Sequence, residues 1–303
     1  QQLNEQHSVE YGLRYWRIIV GPWLGYFIHV LFDRWASIRQ ASETGEVQES
    51  IVISGLHDAR PPLDMFDFRR LTNSVEWNHY IYSRVLEKFN SIPTTIGVNQ
   101  TYAVDPAGSS EQTLMMEESL AESTVPRLYG MVRRVLGWGL RPTDVHIVNS
   151  YLGLRNDLAL HLQLRQIPQL SMPVLPPMTP VEGELRKWEL SHAGSDAFES
   201  FVCQIVPDQI PIMYLEGLSS LGHLAKSLHW AKKPKTIVTG NSFYYDDVFN
   251  EIFTTTFLDD GLLNSSDFTF NFFAWSTHLF RPSKCNLLNV ASLDLNSLII
   301  PML

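Results

Sequence analysis

The sequence predicts an α/β protein, a Rossmann-like parallel sheet flanked by helices. Three observations carry this. Residues 145–151, Val-His-Ile-Val-Asn-Ser-Tyr, read as a strand and lead into a helical pattern with Leu158, Leu160, Leu162 and Leu164. Residues 235–239, Lys-Thr-Ile-Val-Thr, are a second β-branched run, turning through Gly240, Asn241 and Ser242 into another helical pattern. Strand-then-helix units of this kind build parallel sheets. The chain has 303 residues, 45% of them hydrophobic and 18% charged, enough for a sizeable core in one large or two ordinary domains.

The elements follow in order. Residues 13–39 hold three tryptophans, two tyrosines and two phenylalanines among basic residues. Apolar side chains at Trp23, Phe27, Val30, Leu31 and Trp35 recur at helical spacing, after a break at Gly21-Pro22. The apolar run 18–32 is shorter than the roughly 20 residues that span a bilayer. It reads as a buried core helix, with an interfacial membrane helix as the other reading. The interfacial form lacks the Lys/Arg stripe such helices carry. Residues 40–50 are polar and read as a loop. Ile51-Val-Ile-Ser-Gly is a short buried-strand signal, and Arg60-Pro-Pro a break. Asn73 followed by Glu76 resembles a capping box that opens a helix through Val75, Tyr82, Val85, Leu86 and Phe89.

A Pro/Gly/Asn-rich loop is predicted at 93–110, then a long helix at 111–136 divided at Pro126. The helix after residue 151 ends before Pro168, and residues 168–180 hold five prolines and read as an extended connection. Residues 182–206 mix helical and strand signals. The last helical pattern runs from about 244 to 253. Residues 254–303 turn rich in Asn, Ser, Thr, Phe and Leu with few charges, so the chain divides into an α/β domain at 1–250 and an atypical tail at 251–303.

Charge and composition exclude several functions. A net charge of −9 argues against a nucleic-acid binder, which needs a basic face. The two cysteines, Cys203 and Cys285, have no metal-ligand or redox spacing and suit a reducing, cytoplasmic compartment. Gly137-Trp-Gly139 follows a helix and lacks the third glycine of a dinucleotide loop. Walker, His-Glu-x-x-His, Gly-x-Ser-x-Gly and Asp-x-Asp signatures are absent. No metal or cofactor is therefore expected.

The candidate site is the turn Gly240, Asn241 and Ser242. Ligands of open parallel sheets bind outside the carboxyl ends of strands, and free backbone N–H groups there suit an anion. The competing reading is that Asn241 or Ser242 caps the next helix. His79, in Trp77-Asn78-His79, and His57, beside Asp58, are candidate general bases. Each is equally readable as a hydrogen-bonded structural histidine. Asp246-Asp247 suits a helix N-terminus. As neighbours on a helix the two point in different directions and make a poor acid/base dyad.

Leu3-Asn4-Glu5, Arg14-Tyr15-Trp16-Arg17, Gly21-Pro22-Trp23-Leu24 and Asp33-Arg34, together with Trp77-Asn78-His79-Tyr80 and residues 233–249, resemble a family of bacterial transferases. The C-terminal halves of that family are similar to enzymes of surface-carbohydrate biosynthesis. The resemblance covers roughly residues 3–250. It implies the N-terminal half of a two-domain, GT-B-like glycosyltransferase. Such an enzyme moves a sugar or related group from an activated donor to a carbohydrate acceptor. Its partners are then small molecules, with no nucleic acid, no transmembrane segment, and peripheral membrane contact left open. The family's His-Gly-Gly segment is expected after residue 253 and is absent, so the chain is expected to be an inactive, incomplete piece. A non-catalytic binding or scaffold domain is the alternative.

Overall fold

The aromatic segment folds into two helices that almost run into one another. In the computed structural model, which describes residues 2–54, 60–97, 145–148, 154–166, 180–188, 190, 196–228, 236–239 and 242–255, α1 is Gln2–His7, α2 is Leu13–Ile19 and α3 is Gly21–Thr44. Pro22 falls in the first turn of α3, where its missing N–H is not needed. Trp16, Trp23 and Phe27 are fully buried and Trp35 is partly so, in one core that also takes in Leu3, Phe68, Trp77 and Tyr214. The segment is core: its apolar face is turned inward, and among the described residues no helix is long and apolar enough to cross a membrane. α3 runs into the predicted loop at 40–50, because residues 40–44 hold no helix breaker. It stops at Gly45, whose φ of 67° is the left-handed cap that glycine tolerates.

Two further helices pack on α3. α4 is Met65–Leu71, capped by Asp64, and α5 is Val75–Phe89, capped by Ser74. The predicted cap, Asn73, instead donates to the Arg69 carbonyl, one residue before the true start. Phe68 holds the centre, edge-on to Trp23, Tyr26, Phe27 and Trp77 at centroid distances of 6.3, 5.7, 5.9 and 5.8 Å. The resembled motifs meet one another here. Trp16 donates to Asn4 at 2.8 Å, and Arg34 donates to Asn78 at 2.9 Å.

The strands pair in parallel twos. β1 (Ser50–Ile53) pairs with β2 (Thr94–Gly97), across the crossover that contains α4 and α5. β3 (Val145–Val148) pairs with β4 (Thr236–Thr239), Val145 opposite Thr236 and Val148 opposite Thr239. β2 falls within the predicted loop at 93–110. Its one large apolar side chain, Ile96, is 77% exposed, so no buried pattern marks it. β1 is half-buried, with Val52 inside and Ile51 outside.

α6 is Leu154–Gln163, and a 3₁₀ turn follows at Gly183–Arg186. α7 (Ala197–Gln209), α8 (Ile212–Leu215) and α9 (Leu218–Ser227) complete the helical layer. The last predicted helix is two, α10 (Ser242–Tyr245) and α11 (Asp247–Phe253), split at Asp246, which caps the second. The described chain is thus mixed α/β, mostly helical, with small parallel strand pairs. The predicted helix at 111–136 and residues 256–303 lie outside the described residues.

Candidate functional site

β4 ends at Thr239, and its hydroxyl closes the turn that follows. Thr239 Oγ1 accepts from the Ser242 N–H at 3.2 Å and donates to Ser242 Oγ at 2.8 Å. Ser242 is fully buried. Gly240 and Asn241 lie outside the described residues, as does His57.

His79 is on α5, beside β1. Its Nε2 accepts the Ile53 N–H at 3.1 Å. An accepting Nε2 carries no proton, so in this tautomer the nitrogen a base would use is engaged by the β1 backbone. We expect His79→Leu to cost about 1 kcal/mol through the lost acceptor, read as a lower urea midpoint. His79 therefore belongs to the β1–β2 pair, and Ser242 to the β3–β4 pair.

Next to the turn lies a group of carboxyls the sequence does not announce. Asp247, 4% exposed, accepts the Tyr214 O–H at 2.7 Å on Oδ1 and the Met65 N–H at 3.0 Å on Oδ2. Asp64 caps α4 by accepting the Asp67 N–H at 2.7 Å, and Asp246 caps α11 by accepting the Phe249 N–H at 2.9 Å. Burial pushes the Asp247 carboxyl well above the usual range, and the charge of Asp64 adds to it. Burial likewise raises Asp64 to about 6. Tyr214 is pushed well up by burial and by the Asp247 charge.

Asp67 is the contrast. Burial would raise it, but Arg60, Arg70 and the Leu63 N–H all donate to it, and its carboxyl lies below the ordinary value. Three donor residues, two of them cationic, outweigh desolvation at Asp67, whereas Asp247 has two neutral ones. Asp247 is enclosed, and what it does here is join elements, through Tyr214 and Met65. Tyr214 and Asp64 went unread because their partner lies 33 and about 180 residues away, where no local spacing signals a contact.

Among the described residues no group of three or more His, Cys, Asp or Glu side chains is arranged to hold a metal. No curated protein and no solved structure shows a significant match to the chain. A family model does. It is described as the LIC12162 family transferase and aligns with residues 1–260, which takes in the helical core, both strand pairs, the turn after β4 and the carboxyl group beside it. The chain therefore belongs to the LIC12162 family of transferases.

Proposed function

We propose that this chain carries the acceptor-side, Rossmann-like half of a glycosyltransferase-type enzyme of surface-carbohydrate biosynthesis, with the turn Gly240, Asn241 and Ser242 as its substrate-binding element. The observation that carries the reading is the parallel β3–β4 pair, with Ser242 three residues past the end of β4, in a chain of a transferase family. The carboxyl ends of parallel strands are where ligands of such sheets bind. Thr239 holds Ser242 just past the end of β4, and backbone N–H groups at such a place suit a phosphate or carboxylate of donor or acceptor.

Transfer needs both reactants held in one geometry, so this half binds and does not turn over. Nucleotide-sugars and carbohydrate acceptors titrated against the purified chain should show binding without product. Asn241→Ala and Ser242→Ala should weaken that binding beyond the roughly 1 kcal/mol that losing a helix cap costs. Steady product formation would overturn the half-enzyme reading. Unchanged affinity in both variants would make the turn structural, and no binding by any candidate would favour the scaffold alternative.

A further inference from the structure

Asp247 joins three pieces of chain that are far apart in sequence. It sits at the first turn of α11, receives the O–H of Tyr214 from α8, and receives the N–H of Met65, the first residue of α4. Met65 N–H is one of the donors a helix start leaves without an intrahelical partner. Asp247 thus caps α4 from outside while Asp64 caps it from within. Neither Asp64 nor Asp247 forms an ion pair among the described residues.

The ionisable groups facing Asp247 are Asp64 from the start of α4, Asp246 beside it, and Tyr214. The nearby cations are committed or outside. Arg60 and Arg70 are on Asp67, Arg69 lies over the Tyr245 ring of α10, and Lys226 and His223 of α9 are exposed. One turn along α11, Glu251 takes the Tyr15 O–H from α2.

We propose that Asp64 and Asp247 form a proton-dependent clasp. With one proton retained between them they hold the start of α4 against α11. Loss of that proton to solvent sets two buried carboxylates against each other and loosens the junction. The sign follows. Both carboxyls lie above their ordinary values in the folded chain, so these two groups bind more protons folded than unfolded. Their contribution to stability is fully present toward pH 4 and is lost as pH rises through about 6 and beyond. His7, held by burial below its ordinary 6.5 with its Nε2 at the Tyr214 carbonyl, contributes with the opposite sign on the acid side.

The test is urea unfolding of the whole chain from about pH 5 to about pH 8, for wild type, Asp64→Asn and Asp247→Asn. Asparagine at 247 is a fair neutral mimic: its oxygen accepts from Met65, and its amide donates to a rotated Tyr214 hydroxyl. His7 titrates alike in all three chains, so the clasp is read from wild type minus variant: that difference in unfolding free energy should fall with pH at a slope of at least about half a proton per molecule. In the wild type the Met65 amide should lose exchange protection over the same range, after correction for base catalysis. Wild-type slope in both variants overturns the clasp. If a variant does not fold, aspartate carboxyl ¹³C shifts in the wild type decide. A resonance with its midpoint near 6 or higher supports the clasp, and titration of every aspartate below about 5 overturns it.

Discussion

Replacing Trp23 with alanine should destabilise the protein by about 3–5 kcal/mol, from about a fifth to all of a typical stability of about 5–15 kcal/mol. Trp23 is fully buried, stacked on Phe27 at 5.1 Å and edge-on to Phe68 and Tyr214. Removing it opens the centre of the helical core, where four elements meet and none can collapse freely. Its indole Nε1 has no hydrogen-bond partner among the described residues, and a buried donor without one costs about 1–3 kcal/mol. Trp23→Phe removes that donor while keeping much of the ring, so its loss should be well under half that of alanine. Equal losses in the two variants would mean that packing at this site is not what holds α3 in place. Urea midpoints and liposome partitioning measured together also test the segment as a whole: wild type should stay off liposomes.

Glu216→Ala should cost about 3–5 kcal/mol for a different reason. Arg186 donates to both Glu216 oxygens at 2.7 Å, and both side chains are nearly inaccessible. Arg186 also donates through Nη1 to the Pro207 and Ile210 carbonyls at 3.1 and 2.9 Å, which satisfies the C-terminal end of α7. Truncating Glu216 leaves a buried guanidinium without its counter-charge, and it removes the acceptor of the Glu182 N–H. The double change Arg186→Met with Glu216→Leu removes both charges and should recover most of the loss. A residual deficit of about 1–2 kcal/mol should remain from the uncovered carbonyls. If the double variant is as unstable as Glu216→Ala, the cost lies in shape and not in the stranded charge.

What the sequence made legible is what local pattern encodes. β3 and β4 are β-branched and short, and α5 alternates polar and apolar faces, so each announces itself. α7 does not, because eight of its thirteen residues are buried and Pro207 lies inside it, which erases any single apolar face. α4 hid behind Pro61 and Pro62, and its cap, Asp64, reads locally as one more loop residue. Of the predicted turn Gly240, Asn241 and Ser242, only Ser242 lies among the described residues, tied to Thr239 at the end of β4. The carboxyls beside it were half legible: Asp246-Asp247 reads as a helix start, which it is, but the role of Asp247 depends on Tyr214 and Met65. Contacts made across such separations are set by packing, and no spacing rule reaches them.

The pairing of β3 with β4 also sets an order of events. The two strands are separated by roughly ninety residues, against roughly forty for β1 and β2. The extra loop-closure entropy is small, about 0.6 kcal/mol per doubling of length, but the delay during synthesis is not. No β3–β4 contact can form until residue 239 has left the ribosome. By then residues 2–54 and 60–97 have long been available to assemble α3, α4 and α5. The β3 edge that receives β4 must wait through all of that interval without its partner strand, the condition under which nascent chains aggregate. Ribosome-arrested chains ending before residue 236 should accordingly protect Trp23 and Phe68 while leaving residues 145–148 open to protease and to chaperones.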